Sequence, residues 1–309
     1  MPMVAMMLLG SALVSPMVET PTITPFAHGK SCAFSMEFDD SMGSQVQNLL
    51  PLLVQYRFPA TFYVNPGEER YRQHHEVWEK KVLAAGHELG DHTMHHRDTV
   101  GPEQGASEIG DAAKILHKIV GHDALMPFAI PGGVKWEIPK ADFDRILAEN
   151  RLFLPGREAF YQDGQGDITK WAKMALDSSS WHHLGFHGVG GEWLSTSVAN
   201  MKTLLEFLDQ HRDKMWVAPT GVVWKYQRER EAFLGLDAKG KPRFDHEKLV
   251  PFDGYDVPLT MHYPVPAGWK KAKVIIDGGS PMTLEVTDGA VHFDFLPRAS
   301  SIRVEHVQN

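Results

Sequence analysis

The chain holds 309 residues, 43% of them hydrophobic and 23% charged, with a formal net charge of −8. That length admits a large α/β domain plus a smaller module, and the composition is that of a folded rather than a disordered chain. The negative balance, without a long basic run, argues against a nucleic-acid partner, and a single cysteine, Cys32, excludes an intramolecular disulfide.

In chain order, Met1 to Val18 carries no charge, and the apolar run Met3 to Leu9 leads into Gly10, Ser11 and Ala12. Residues 1–20 therefore read as a signal peptide or apolar leader, although the first Lys or Arg is Lys30 and the usual positive start is missing. The expectation is a periplasmic or secreted protein. The run is short for a stable membrane span and ends at Pro16. From about residue 31, strand-like and helix-like pieces alternate. Cys32 to Phe38 alternates into Asp39-Asp40; Ala60 to Val64 is β-branched and aromatic; Glu76 to Ala85 reads as a helix closed by Gly86, and His87 to Gly90 as a strand. Ser107 to Val120 has helical spacing with Gly121 as terminator, and Phe128-Ala129-Ile130 precedes the breaker Pro131-Gly132-Gly133. Ala141 to Glu149 is helical, Leu152 to Leu154 a short strand, and Trp181 to Phe186 a strand leading into His187-Gly188. Ser197 is placed to cap a helix carrying Val198, Met201, Leu204, Leu205 and Leu208, and Met215 to Ala218 is a further strand. Repeated βα units predict a parallel (β/α) barrel over 24–232, with functional groups gathered at the C-terminal ends of its strands. Residues 233–249 read as a polar linker. Residues 250–309 read as a small antiparallel β-module, with strands near 259–263, 273–276, 283–286, 291–295 and 302–304.

Asp39-Asp40 is the only adjacent Asp pair, and two His-x-x-x-His pairs occur, His92/His96 and His183/His187. With 17 His in the chain, about one such pair is expected by chance, so context must decide. The first pair follows a helix end and a short strand, and the carboxylates close another strand. One carboxylate and two imidazoles can hold a divalent metal while the second carboxylate serves as a base, which points to metal-assisted hydrolysis. Alternation places His183 on the same strand face as His187, as a packed residue, and His95 points away from His92 and His96 as a bystander. Trp193 lies in a Gly-rich loop after His187.

Phe38-Asp39-Asp40, Ala60-Thr61-Phe62-Tyr63-Val64, Gly86-His87-Glu88 with His92-Thr93-x-x-His96, Pro131-Gly132-Gly133 and Phe186-His187-Gly188 occur in that order. Together they resemble the polysaccharide deacetylases of carbohydrate esterase family four over about residues 31–232. The resemblance implies an α/β fold with a distorted (β/α)7 barrel. It implies Asp40, His92 and His96 as ligands of Zn2+ or another divalent transition metal, Asp39 as general base and His187 as general acid. Pro131, Gly132, Trp193 and Arg157 would meet an acetylated polysaccharide or amino-sugar oligomer, whose N- or O-acetyl groups are removed. The chain departs from the family at Ala129, where an Arg normally orients the base, and at Gly132, where an aromatic is usual. Arg157, after the Leu152 to Leu154 strand, is the candidate substitute. Asp167 and Asp177 are candidates for the aspartate that tunes the catalytic His. The alternative is a catalytically weak carbohydrate-binding protein that retains the fold.

Overall fold

A computed structural model describes residues 20–308; the expected leader lies, except for Thr20, outside the described residues. The first half runs β1 (Thr22–Ile23), β2 (Cys32–Asp39), α1 (Leu50–Tyr56), β3 (Thr61–Val64), α2 (Glu69–Gln73), β4 (Glu88–Asp91), β5 (Thr99–Val100), α3 (Gly101–Val120), β6 (Met126–Pro127), β7 (Trp136–Glu137) and α4 (Lys140–Glu149). Next come β8 (Leu152–Phe153), β9 (Ala159–Phe160), α5 (Lys170–Ser178), β10 (Trp181–Phe186), α6 (Val198–Gln210), β11 (Met215–Val217) and α7 (Thr220–Ala232). The chain then turns to β: β12 (Phe233–Leu236), β13 (Pro242–Phe244), β14 (Leu259–Pro264), β15 (Lys271–Ile276), β16 (Met282–Glu285), β17 (Ala290–Phe295) and β18 (Ile302–His306).

Strand β2 is buried on both faces along its length, as central strands of parallel sheets are. Cys32, Phe34, Met36 and Phe38 join the main apolar core, where Phe38 stacks on Phe62 and Phe186 with ring centroids 5.5 and 5.2 Å away. The alternate residues Ser35, Glu37 and Asp39 face the other way. Parallel ladders order the sheet β4-β3-β2-β10-β9, with β11 also on β2. A bridge from Asp91 to Phe128 brings in β6, which pairs with β8. Among the described residues no ladder joins β8 to β9, so the hydrogen-bonded sheet is open rather than a closed ring. Its register decides the chemistry. Phe38 pairs with Phe186, Asp39 with Tyr63, and Val64 with Asp91, so the residues following β2, β4 and β10 emerge along one rim.

Helix α3 starts at Gly101, not at Ser107, because Pro102 suits a first turn that has no use for its N–H. The predicted helix before Gly86 is a π-type turn, Val77–Val82, running into a 3-10 turn, Leu83–Ala85. Gly86, at φ +83°, ends it in the left-handed region. Ser197 caps α6 by accepting from Asn200 N–H at 3.2 Å. Residues 233–249 contain an antiparallel hairpin, β12–β13, pairing Phe233 with Phe244.

The C-terminal strands form two antiparallel sheets, β1-β14-β17 and β16-β15-β18. Leu259, Met261, Val274, Val291 and Phe293 share a core with Ile23 of β1, Phe153 of β8 and Tyr226 of α7. Phe153 stacks on Trp224 at 4.0 Å. The second core is therefore built partly from the α/β region and from the start of the described chain. No helix among the described residues is long and apolar enough to cross a membrane.

Candidate metal centre and cleft

Asp40, His92 and His96 present ligand atoms that all lie within 4.8 Å of one another. Asp40 Oδ1 stands 3.6 Å from His92 Nε2 and 3.4 Å from His96 Nε2, and it is buried without a hydrogen-bond partner. A buried carboxylate oxygen left open between two imidazole nitrogens is what a metal ligand needs. The Ala129 carbonyl, 2.9 Å from His92 Nδ1, accepts its proton and leaves the Nε2 lone pair facing Asp40. Burial holds His92 below the ordinary histidine value against the pull of Asp39 and Asp40, which favours the neutral ring. One carboxylate and two imidazoles fit a divalent ion such as Zn2+ and leave room for further ligands.

Backbone strain brings these groups together. Asp40, Ser41, Thr93 and His96 all have φ between +48° and +74°, at a typical cost of about 1–3 kcal/mol for each non-glycine residue. Local hydrogen bonds hold the bends. Ser41 Oγ accepts from Asn65 N–H at 3.0 Å, and Asn65 Nδ2 donates to the His92 carbonyl and, at 3.1 Å, to the Thr93 carbonyl. Asp91 Oδ1 accepts from Thr93 N–H at 2.8 Å, and Thr93 Oγ1 accepts from His96 N–H at 3.1 Å. Asn65 and Asp91 are supports that the sequence patterns do not mark, whereas Thr93 is part of the His92-Thr93-x-x-His96 motif.

Asp39 sits beside this cluster, its Oδ2 3.6 Å from His92 Nε2. Arg157 forks onto it, with Nη1 2.7 Å from Oδ2 and Nη2 2.8 Å from Oδ1. Its Nε donates at 2.8 Å to Glu37, so each guanidinium nitrogen makes one bond to a carboxylate. Three of its five N–H groups are engaged in this way, and the side chain also lines a cavity of about 250 Å3 with Tyr63, Ala129 and Phe160. Burial opposes ionisation of Asp39, but Arg157 and His92 overcome it and hold the carboxyl below its ordinary value. Glu37 accepts from Thr220 Oγ1 at 2.8 Å and contacts His183 Nδ1 at 2.7 Å. Burial works against its ionisation too, and is outweighed by His183 and Arg157. Ala129 is thus matched by an arginine from another strand end. Glu37 was missed because a polar residue in an alternating strand looks like ordinary patterning; its place two residues before Asp39, on the same face, was the available signal.

His187 lies across the cleft with Nε2 4.0 Å from Asp40 Oδ2 and its ring stacked on Phe160 at 4.8 Å. Burial holds it below the ordinary histidine value, and its Nδ1 has no partner among the described residues. Neither Asp167 nor Asp177 serves it. Asp167 is engaged by Lys173 and Thr169, which depress its carboxyl to about 2, and Asp177 is exposed. His95 bonds to Glu108, away from the cluster. A cleft of about 510 Å3 is lined by Asp39, Asp40, His96, Gly132, His187 and Trp193, among others. Pro131 is buried and is not among the cleft-lining residues. Trp193 Nε1 donates to Asp40 Oδ2 at 3.1 Å.

Residues 29–141 match the family model described as polysaccharide deacetylase. The chain is similar to a gellan lyase from a Bacillus species, 24% identical over 285 residues, covering 79% of this chain and 11% of that protein. It is also similar to a peptidoglycan-N-acetylglucosamine deacetylase from Bacillus cereus, 30% identical over 151 residues, covering 47% of this chain and 62% of that protein. It therefore spans less than two thirds of either curated relative. A solved structure of a peptidoglycan deacetylase from Bacillus subtilis aligns with 65% of this chain and 94% of that one, at 17% identity and a TM-score of 0.48. The matched residues 29–141 are the ones that contribute Asp39, Asp40, His92 and His96.

Proposed function

We propose that this protein is a metal-dependent hydrolase that removes acetyl groups from a polysaccharide or amino-sugar oligomer. One observation carries the reading: a metal-ready cluster, Asp40, His92 and His96, lies against a second carboxylate, Asp39, that Arg157 keeps ionised. A divalent ion held there, Zn2+ in this reading, supplies Lewis acidity toward an acetyl carbonyl and lowers the pKa of a water. Asp39, buried and charged, accepts the proton of the attacking water. His187, on the opposite wall, delivers a proton to the departing nitrogen or oxygen, and its partnerless Nδ1 leaves the ring free to change protonation state. Gly132 lines the cleft and offers backbone N–H to the developing oxyanion. Trp193 presents its ring to a sugar. The rival reading of a weak binding protein rested on the missing arginine at Ala129, and the Arg157 fork supports the enzyme instead.

In this reading the parallel strands count as a distorted (β/α)7 barrel over 24–232, the β-module of 250–309 supports it, and the apolar leader sends the protein to the periplasm or outside the cell. The test is acetate release from chitooligosaccharides, peptidoglycan and acetylated xylan, before and after chelation and after Zn2+ is returned. Release lost on chelation and restored by Zn2+ supports the proposal. A protein that holds one equivalent of Zn2+ yet frees no acetate from any of them overturns it.

A further inference from the structure

Arg70, on α2, packs its guanidinium carbon 4.3 Å above the Trp193 ring. Its Nε is buried without a hydrogen-bond partner among the described residues, and Glu68, the carboxylate paired with it, stands 3.7 Å from Nη2, beyond hydrogen-bond reach. The contrast with Arg157, whose three nitrogens all donate to carboxylates, is sharp. Arg70 Nη1 and Nη2 make no hydrogen bond among the described residues and are not among the buried atoms, so the outer edge of the guanidinium is the part a ligand can reach. Glu192, the other acid nearby, does not supply one: it is occupied by the N–H groups of Gly43 and Ser44 and by Ser44 Oγ.

Arg70 opens onto a groove of about 320 Å3 that also takes in Gln47, Asn48, Gln73 and His74. Amides and an imidazole around a cation suit a hydroxyl-rich ligand bearing one negative group. The groove adjoins the catalytic cleft through one loop: Gly191 and Glu192 line the groove, and Trp193 lines the cleft while donating to Asp40. A sugar chain on Trp193 can therefore reach both.

We infer that this groove is a subsite for a carboxylate-bearing sugar residue, read by Arg70, one or more units from the acetyl group that is cleaved. The inference rests on the deacetylase reading for the identity of the chain and adds its charge. A planar carboxylate matches the guanidinium fork with two parallel hydrogen bonds, which a neutral hydroxymethyl group cannot make.

The experiment uses two acetylated oligosaccharides, one carrying muramic acid and one carrying a glucuronic acid branch, each beside a twin with its carboxyls reduced to alcohols. Kd and acetate release are measured for the zinc-loaded wild type, Arg70→Gln and Arg70→Lys. Charged hydrogen bonds of this kind give roughly a tenfold or greater preference, so the wild type should prefer an acidic form by that factor and lose the preference in strong salt. In Arg70→Gln the ratio should fall toward one, and Arg70→Lys should keep part of it. Equal Kd for acidic and reduced forms in the wild type, or a preference that survives Arg70→Gln, overturns the inference. Equal acetate release from both twins would remove the subsite and leave the deacetylase standing. An acid preference in binding without acetate release would keep the subsite and remove the deacetylase.

Discussion

The rim of the parallel sheet and the C-terminal β-layers put buried residues to opposite uses. At the rim, Glu37, Asp39, Asp40, Asp91 and His92 are buried polar groups on a backbone with several left-handed residues. In the β-layers, Leu259, Met261, Val274 and Val291 are buried and apolar. Burial that removes hydrocarbon from water stabilises at roughly 25 cal/mol per Å2, whereas burial of polar groups costs unless each finds a partner. The rim is thus organised for chemistry at the expense of stability, and the layers help offset that expense through α7 and β8, which touch both.

The sharpest break in this comparison is Asp39→Asn. Arg157 keeps Glu37 as a partner, so the fold and the metal should survive while turnover falls roughly a hundredfold or more, the usual loss of a positioned base. Arg157→Ala should act more softly: without the guanidinium, the Asp39 carboxyl rises, and the acid limb of kcat/KM against pH moves to higher pH. Retained turnover in the first variant, or an unmoved limb in the second, would put the base elsewhere.

The converse variant is Leu259→Ala, fully buried in the second core. Truncations of this kind cost about 2–5 kcal/mol, so denaturant melts should move to lower concentration while uptake of added Zn2+ matches whatever the wild type takes up. A variant that melts normally but takes up less added Zn2+ than the wild type would join the two regions more tightly than their cores indicate.

The smallest effect is pH-dependent and has opposite signs in the two regions. Glu229 lies in the seam between α7 and the β-layers, and burial raises its carboxyl to about 8. The fold then holds a proton that the unfolded chain releases, so stability falls as pH rises from about 4.5 to about 8. His87, just before β4, is depressed by burial to about 4; there the unfolded chain takes up a proton that the fold refuses, so stability falls as pH drops from 6.5 to about 4. Glu229→Gln should flatten the alkaline slope alone, by up to a few kcal/mol across that window, as read from urea melts at a series of pH values. An unchanged alkaline slope would move the sensitive group out of the seam.

How much of this was legible follows from what each residue announces by itself. Asp39-Asp40, His92 and His96 stand out because adjacency and spacing survive in one dimension, and the strands that carry them alternate plainly. The C-terminal strands were readable to within two residues for the same reason. Helix α7 was not foreseen: Val223 packs toward the sheet core, Tyr226 toward the β-layers, and no single apolar stripe forms. The hairpin β12–β13 was hidden in a polar stretch whose strands are only four and three residues long. Arg157 could be suggested from its place after a strand, but Glu37, His183 and Thr220 meet only when distant strands come into register.

Counted as formal charges, the carboxylates of Glu37, Asp39 and Asp40 set against the guanidinium of Arg157 leave an excess of two negative charges among buried groups. A divalent cation is the species that closes that account, while an alkali ion falls one charge short. In the proposed reading the same imbalance would make the ion a folding partner as well as a reagent: whatever occupies the cluster relieves a repulsion that the rest of the sheet must otherwise contain, so occupancy and rigidity of the rim rise together.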